Sequence, residues 1–522
     1  MTSIDPRPLP PLASIVATIG PASDSPEVVA RLIELGVRVF RFNFSHGDLD
    51  AHARRLATVR RVAANMGRQI ACLGDLQGPK IRVGRIPQGV GETHRSGGGS
   101  IRVEPGQDVV LSRGATDSSV RSIKNGGSEP VLSLTYPAMV DEVEPGHRVL
   151  VNDGAIRMLA VERDEKAHEL RCRVVVGGVI SSGKGINLPD SNLSAPALGE
   201  RDMECVRWGV ANELDFLALS FVRKAEEIHD LKRQIAQLPD PSRKGEAAWI
   251  PIVAKIEKPQ ALREIDAIVD AADAIMVARG DLGVEMEIAR VPVEQRRILA
   301  ACDRAGKPCI VATQMLETMI DNAIPTRAEA SDVANAIFDG ADAVMLSGET
   351  ATGKHPALVV ETMGRIIAAA EEYVRSKPGN ATPPSRVQQS HKGTAALAMG
   401  AWSIARDIGA RVVACWSQQG GTARFLSMAG FSVPVVAYSS DPRATRRMAL
   451  LRGVTPMCVQ PPASGRMTDW NTRVDQDLLD RGLVRKGDSI VLVAGRPLGV
   501  AKATNTVAIH RVGEAEGAYR GQ

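Results

Sequence analysis

Residues 252–259 read Ile-Val-Ala-Lys-Ile-Glu-Lys-Pro, and residues 274–284 read Ala-Ile-Met-Val-Ala-Arg-Gly-Asp-Leu-Gly-Val. The apolar runs 252–254 and 274–278 are typical of fully buried strands, and charged residues follow each of them. The residues between them, 260–271, have the length and apolar spacing of a helix. This stretch therefore predicts a β-α-β unit with a carboxylate at the end of each strand.

Glu257 and Asp281 are those carboxylates, and parallel neighbouring strands would bring them to one rim. Two carboxylates with few other protein ligands suit Mg²⁺, which keeps several waters and binds phosphate-bearing substrates. Lys255 beside them is placed to meet a phosphoryl group, and Gly280 lets the backbone approach a ligand closely. Taken alone, the stretch also fits ordinary surface carboxylates paired with Lys and Arg.

Outside one interruption, strands alternate with helices along most of the chain. Eight strands are predicted to start near Ile15, Val37, Ile70, Phe216, Ile252, Ala274, Cys309 and Ala343. Eight such units predict a (β/α)₈ TIM barrel, whose site lies where the strands end. The polar residues expected to meet at this rim are Arg41, Asn43, Ser45, His46, Asp75, Arg82, Lys255, Glu257, Asp281 and Thr313. Stability alone does not explain so many charges in one place.

The interruption follows the third strand and has a different pattern. Short alternating runs separated by Gly and Pro predict an inserted all-β domain, placed as a lid over the rim. The expected domains are the first part of the barrel at 1–83, the inserted β domain at 84–184 and the second part of the barrel at 185–375. They are followed by a linker at 376–392 and a C-terminal α/β domain at 393–522.

Composition excludes several classes of protein. The 522 residues carry a net charge of only +4, which does not indicate a nucleic-acid-binding protein. No apolar run is long enough to span a membrane, so no membrane association is expected. Seven cysteines without metal-ligand spacing favour reduced thiols and a cytoplasmic protein.

The C-terminal domain contains a glycine-bearing loop that enters a helix. Ser417, Gly420, Gly421, Thr422 and Arg424 belong to it. Backbone N–H groups at such a position can bind an anion, although an ordinary turn between a strand and a helix has the same pattern.

Ten ordered motifs resemble those of the pyruvate kinase family, and the resemblance runs from about residue 14 to residue 512. They lie at 17–23, 41–47 (Arg-Phe-Asn-Phe-Ser-His-Gly), 75–82, 184–189, 220–223, 254–257 (Ala-Lys-Ile-Glu), 276–283 (Met-Val-Ala-Arg-Gly-Asp-Leu-Gly), 312–317, 325–329 and 343–350. The resemblance implies a barrel, a β-barrel lid and an α/β domain, usually in a homotetramer. It also implies phosphoryl transfer from phosphoenolpyruvate to ADP in glycolysis, giving pyruvate and ATP.

Matching motif positions imply a role for each site residue. Glu257 and Asp281 would ligate Mg²⁺ or Mn²⁺, and Lys255 would stabilise the phosphoryl group in transfer. Arg41 would bind the substrate phosphate, while Gly280, Asp281 and Thr313 would bind the enolpyruvate part. The residues expected to contact nucleotide phosphates are Asn43, His46, Arg82 and Lys184. Thr313, or a water that it orients, is expected near the route of the proton to the enolate.

Two departures from the family pattern change what is expected. Many members need K⁺, held by residues that match Asn43, Ser45, Asp75 and the Leu76 carbonyl, and typically carry Glu where this chain has Lys80. An ammonium on a tether supplies the same charge, so we expect activity without K⁺. The loop that resembles the family's effector loop, 417–424, lacks the usual hydroxyls, which argues against a sugar-bisphosphate activator and leaves another phosphorylated allosteric effector open.

Two other functions remain as alternatives. One is a non-catalytic metabolite-binding paralogue, which the presence of Lys255, Glu257 and Asp281 disfavours. The other is a metal-dependent aldolase or lyase acting on pyruvate enolate. Arg82 and Lys184 beside the lid favour a nucleotide substrate instead.

Overall fold

The structure is a computed structural model, and it describes residues 11–93, 99–122, 127–194, 196–243, 245–376, 392–464, 467–495, 498–500 and 504–514. The predicted linker lies outside the described residues except for Ser376 and Lys392.

Eight parallel strands close into a barrel, so the predicted fold class is confirmed. They are Ser14–Thr18, Val37–Asn43, Ala71–Asp75, Phe216–Leu219, Ile252–Ile256, Ala274–Ala278, Cys309–Ala312 and Ala343–Leu346. Small and branched residues such as Val16, Ala218 and Ile310 fill the interior. This filling explains how a chain with 3% aromatic residues builds a core of this size.

Helices follow the barrel strands, and the longer ones cover the outside of the barrel. They are Pro26–Glu34, Leu49–Asn65, Glu200–Ala211, Ala225–Ala236, Pro259–Arg263, Ile265–Ala271, Arg279–Glu285, Val291–Ala305, Arg327–Phe338, Gly348–Ala351 and Pro356–Ser376. Short 3₁₀ turns lie at Ile288–Arg290 and Glu317–Ile320. The Ser25 side chain caps the first helix by accepting a hydrogen bond from the Val28 N–H.

The prediction of one continuous helix at 260–271 is wrong. This segment forms two short helices that meet at Glu264, whose φ of −106° and ψ of 16° lie outside the helical region. Leu262 and Ile265, on either side of the break, both lie in the core.

The inserted domain leaves after the third barrel strand and returns before the fourth, with a core of its own. Its strands are Glu92–Thr93, Gly99–Val103, Asp108–Ser112, Ser119–Ser122, Ser128–Leu132, Arg148–Val151, Ile156–Asp164, Glu169–Val176, Gly178–Ser181 and Ile186–Asn187. One helical turn, Met139–Glu142, accompanies them. The two connections to the barrel run side by side, because Arg82 forms a bridge with Gly185.

The C-terminal domain has a five-stranded sheet with helices around it. The strands are Val413–Trp416, Val435–Ser439, Val454–Cys458, Ser489–Gly495 and Thr504–Arg511, of which the last is antiparallel. The helices are Lys392–Asp407, Gly421–Met428, Pro442–Arg447 and Met467–Asp480, with a 3₁₀ turn at Met448–Leu450.

Helix Pro442–Arg447 joins this domain to the barrel through ion pairs. Arg443 Nη1 lies 2.9 Å from Asp240 Oδ2, and Arg446 Nε lies 2.8 Å from the buried carboxylate of Asp215. Asp215 directly precedes a barrel strand, so the C-terminal domain contacts the barrel at the face opposite the rim.

All seven cysteines are free thiols, and six of them are buried. No described helix combines the length and the apolar character that crossing a membrane requires.

Candidate functional site

A buried carboxylate, Asp75, forms the centre of the rim. It ends the third barrel strand, and its Oδ2 accepts a hydrogen bond from Arg41 Nε at 2.7 Å. Its Oδ1 lies 3.2 Å from Lys255 Nζ. Arg41 also donates to Thr18 Oγ1 at 3.1 Å. One anion thus orients the two cations that sequence reasoning assigned to the phosphoryl group.

Lys255 is held in a charged cage although it lies inside a strand. Its Nζ is 2.9 Å from Glu257 Oε1 and donates to Ser220 Oγ at 2.8 Å. Burial disfavours the cation, but the Asp75 and Glu257 carboxylates outweigh this effect and raise the pKa of Lys255 above its ordinary value. For Asp75, burial is likewise outweighed by Lys255 and Arg41, and its pKa lies below the usual range. Both groups are therefore charged at neutral pH.

Glu257 and Asp281 fit a divalent cation. Glu257 Oε1 is buried, and apart from the ion pair with Lys255 Nζ at 2.9 Å it accepts no hydrogen bond from a described residue. Burial raises the pKa of Glu257; Lys255 opposes this effect, and the nearby Asp281 carboxylate adds to it. A bound cation between the two carboxylates would relieve this cost. No cluster of three or more potential His, Cys, Asp or Glu ligands occurs in the described ranges, so the remaining ligands would be substrate oxygens and water.

Asp281 lies on a short helix that begins directly after its strand, Arg279–Glu285, which we call the site helix. At its start, the Gly280 N–H donates to Thr313 Oγ1 at 2.7 Å. Thr313 Oγ1 itself donates to the Ala312 carbonyl at 2.6 Å. Thr313 has φ of 68°, an uncommon conformation for a β-branched residue and one that accumulates at functional sites.

Lys80 lies on the connection from the barrel to the inserted domain. Its Nζ is 3.7 Å from Asp153 Oδ1 in that domain and 3.9 Å from Asp281 Oδ1. Asp75 and the Leu76 carbonyl were predicted to share the monovalent-cation pocket with Lys80. They have other partners: Asp75 pairs with Arg41 and Lys255, and the Leu76 carbonyl accepts from Ser220 Oγ at 2.7 Å. The Lys80 ammonium therefore lies near the Asp281 carboxylate of the rim and forms no ion pair with Asp75.

The four residues predicted to contact nucleotide phosphates lie around this centre and make few side-chain contacts. Asn43 Oδ1 accepts from the Ser45 N–H at 3.2 Å, and Arg82 Nη1 donates to the Gly183 carbonyl at 2.9 Å. The side chains of His46 and Lys184 form no hydrogen bond or ion pair with another described residue. All four side chains are at least partly exposed, so a ligand would have access to them.

Sequence reasoning missed Ser220 and Phe221 as site residues. Ser220 follows the fourth strand and binds Lys255, while the Phe221 N–H donates to Glu257 Oε2 at 2.6 Å. The signal was the same one that identified Asp75, namely a polar residue directly after a buried strand. The backbone role of Phe221 has no counterpart in the pattern of residue types.

The predicted effector loop lines a separate cavity of about 500 Å³ between the C-terminal domain and the far end of the barrel. Ser417, Gly420, Gly421, Thr422 and Arg424 all contribute to its wall. Gly420 has φ of 84° and precedes helix Gly421–Met428, and Ser417 Oγ accepts from the Ala423 N–H at 3.1 Å. Burial lowers the pKa of the Arg424 guanidinium, and Asp273 opposes this effect.

Comparison with known proteins gives consistent matches along the chain. The family model described as "Pyruvate kinase, barrel domain" matches residues 11–360, and "Pyruvate kinase, alpha/beta domain" matches residues 395–510. A pyruvate kinase of Mycobacterium tuberculosis is 40% identical over 510 residues, with 96% of this chain and 98% of the relative covered. One from Corynebacterium glutamicum is 38% identical over 503 residues, with 96% and 97% covered. The crystal structure of a pyruvate kinase from Cryptosporidium parvum is 30% identical and has a TM-score of 0.83 over 96% of each chain.

Proposed function

The chain belongs to the pyruvate kinase family of phosphotransferases, and we propose that its rim transfers the phosphoryl group of phosphoenolpyruvate to ADP. The observation that carries this proposal is the Lys255 ammonium, buried within 3.2 Å of Asp75 Oδ1 and 2.9 Å of Glu257 Oε1. A fixed buried cation next to a candidate metal site is the arrangement that stabilises charge on a transferring phosphoryl group.

Each rim residue has a role in this proposal. Arg41 binds the phosphate of phosphoenolpyruvate, since Asp75 already fixes its guanidinium. Lys255 stabilises the phosphoryl oxygens during transfer. The Gly280 backbone and Thr313 orient the enolpyruvate part at the start of the site helix. Because charged side chains are held before substrate arrives, little reorganisation is needed during the reaction.

Glu257 and Asp281 would hold Mg²⁺ or Mn²⁺ in this site. The metal would neutralise the substrate carboxylate and phosphate and fix their orientation. Removal of divalent cations with a chelator should abolish pyruvate formation from phosphoenolpyruvate and ADP, and added Mg²⁺ should restore it. Pyruvate formation that persists without divalent metal would rule out this part of the proposal.

Asn43, His46, Arg82 and Lys184 would contact the phosphates of ADP. Arg82 and Lys184 lie where the inserted domain joins the barrel, so closure of this domain would bring both cations to the nucleotide. Formation of ATP that depends on ADP separates the kinase from the metabolite-binding and aldolase alternatives.

Protonation of the enolate follows phosphoryl transfer. Since the Thr313 hydroxyl donates its proton to the Ala312 carbonyl, a water oriented by Thr313 is a better donor than Thr313 itself. A Thr313→Ser variant keeps the hydroxyl and should retain this step. Loss of the enzyme-catalysed exchange of pyruvate methyl protons with solvent in that variant would contradict the assignment.

We also propose that Lys80 replaces a bound K⁺ ion. Its ammonium lies 3.9 Å from Asp281 Oδ1, so the rim carries a tethered positive charge.

The cavity at the effector loop would bind a phosphorylated ligand that changes activity. Arg424 and the glycine-bearing loop supply a cation and backbone donors. A screen of sugar monophosphates, sugar bisphosphates and nucleotides against initial rates should find activation by a phosphorylated compound other than a sugar bisphosphate. A homotetramer is expected from family membership, and light scattering of the purified protein tests it.

A further inference from the structure

One fully buried carboxylate outside the proposed reaction centre joins three segments of the chain. Glu285 ends the site helix, four residues after Asp281. Its Oε1 accepts hydrogen bonds from Lys258 Nζ and from Asn187 Nδ2, each at 2.8 Å. Lys258 directly follows Glu257 in the chain. Glu285 is thus bonded to the segments of both proposed metal ligands and to the inserted domain.

Lys258 extends this connection to Glu257 through an aromatic ring. Its Nζ lies 5.8 Å from the centroid of the Phe221 ring, and the Phe221 N–H donates to Glu257 Oε2 at 2.6 Å. Phe221 has φ of 55°, a conformation that a bulky residue keeps only when its surroundings impose it. The cation at the ring and the carboxylate at the amide hold Phe221 from two sides.

Asn187 extends the connection to the hinge of the inserted domain. It pairs with Leu150 of that domain, and the N–H of its neighbour Ile186 donates to the Ile81 carbonyl at 2.8 Å. A cavity of about 40 Å³ beside it is lined by Lys80, Asn187, Phe221 and Lys258. Both connections between the barrel and the inserted domain therefore meet at the Glu285 network.

Two acceptors of this network lack partners among the described residues. Glu285 Oε2 and Asn187 Oδ1 are both buried and accept no hydrogen bond there. Buried polar atoms are nearly always hydrogen-bonded in folded proteins, so two such acceptors in one network distinguish it from the ordinary core.

We propose that Glu285 is a positioning residue for the metal site and the hinge. Through Lys258 and Phe221 it fixes Glu257, through the site helix it fixes Asp281, and through Asn187 it fixes the angle of the inserted domain. This inference rests on the proposed function, because Glu257 and Asp281 are taken as the metal ligands.

The test is a direct measurement of Mn²⁺ binding to the full-length protein without substrates, by electron paramagnetic resonance of the free ion. Glu285→Gln keeps the shape of the side chain and removes its charge. It should weaken Mn²⁺ binding about ten-fold or more, as loss of residues that orient metal ligands commonly does. The KM for ADP should rise as well, because the inserted domain is no longer held at a fixed angle to the barrel.

Lys258→Met and the double variant test the connection through Lys258. Lys258→Met should weaken Mn²⁺ binding to a similar degree. The double variant should bind Mn²⁺ with the same affinity as the single variant that binds it less tightly, since both substitutions act on one path. Lys258 is partly exposed, so this variant gives a reading even if Glu285→Gln does not fold.

Glu294→Gln is the matched control. Glu294 is also a buried carboxylate of the barrel, but its ion-pair partners are Arg290 and Arg297, its near neighbours in the chain. This variant should have a similar thermal midpoint to Glu285→Gln and unchanged Mn²⁺ binding. Mn²⁺ affinity of Glu285→Gln within about two-fold of wild type, or an equal loss in Glu294→Gln, would overturn the inference. An inactive wild-type protein would instead refute the proposed function.

Discussion

Lys255 is the residue on which the proposed chemistry depends most. Replacement by Met removes the cation from between Asp75 and Glu257 and leaves two carboxylates buried together. We expect Lys255→Met to lower kcat by about 10²–10³-fold or more, as for loss of a strong electrostatic stabiliser. Initial rates of pyruvate formation measure this effect. Lys354→Met, at an exposed ion pair with Asp321, is the control, and a near-normal kcat for Lys255→Met would refute its role.

Lys80 decides the expected cation requirement. Lys80→Glu removes the tethered ammonium and introduces a carboxylate that can hold a free cation. The variant should be stimulated at least about ten-fold by K⁺, because K⁺ then restores the missing positive charge. Rates in K⁺ and in tetramethylammonium buffers measure this difference. Equal rates of the variant in the two buffers would argue against a charge-replacing role for Lys80.

Asp342, at the far end of the barrel, provides a pH-dependent test of the structure. Burial raises its pKa to about 6 from 3.8; the Cys309 N–H and Arg452 oppose this rise and Asp303 adds to it. The folded state therefore binds the proton more tightly than the unfolded state does. The stability that this group contributes is complete below about pH 4 and is lost as the pH rises through 6.

Asp342→Asn mimics the protonated group and retains the acceptor for the Cys309 N–H. It should stabilise the protein, and the gain in the free energy of unfolding should be about 1–2 kcal/mol larger at pH 7.5 than at pH 4.5. Urea denaturation of both proteins at each pH measures the gain. A gain that does not change between these pH values would show that burial does not shift the pKa of Asp342.

At the scale of elements, helix Pro442–Arg447 connects the C-terminal domain to two barrel strands that lead to the proposed site. Arg446 binds Asp215, whose Oδ2 also accepts from the Cys72 N–H at 2.8 Å. Cys72 and Asp215 lie at the beginnings of the strands that lead to Asp75 and Ser220. The ion pair therefore holds these strands at the ends opposite the site.

Arg446→Gln should lower the free energy of unfolding by about 2–4 kcal/mol, since it removes one of the two ion pairs of the buried Asp215 carboxylate and leaves the pair with Arg60. The midpoint of the first urea transition records the loss. Arg473→Gln, in an exposed pair within one helix, should change stability by at most about 0.5 kcal/mol. Equal losses of unfolding free energy in the two variants would show that the Arg446–Asp215 pair contributes no more to stability than the Arg473–Asp477 pair does.

The sequence predicted those elements whose signal is local. Parallel buried strands followed by charge were sufficient to place Glu257 and Asp281 at one rim, and the same pattern at Ser220 was available but not used. The Asn187–Glu285 hydrogen bond joins residues 98 positions apart, so no local pattern indicates it. The positive φ of Phe221 is likewise imposed by tertiary contacts, and residue propensities favour the opposite sign.

At the scale of the whole molecule, the order of domains was predictable because the alternation of strands with helices gives way to short alternating runs in the inserted domain and resumes after it. The strand order of the barrel followed from eight repeated units, since consecutive parallel strands pair with their neighbours. The cavity at the C-terminal domain was not predictable, because its wall combines loop 417–424 with barrel residues such as Phe216 and Trp249. Such a cavity depends on how the two domains pack.

The most direct test of the whole account is the initial rate of pyruvate formation from phosphoenolpyruvate, ADP and Mg²⁺, measured in parallel in K⁺ and in K⁺-free tetramethylammonium buffer. The account predicts comparable activity in both, because Lys255 and the proposed metal ligands perform the transfer and Lys80 supplies the positive charge otherwise given by K⁺. Activity in K⁺ buffer alone would contradict the role of Lys80. No pyruvate in either buffer, from folded protein, would contradict the central claim that this rim catalyses phosphoryl transfer.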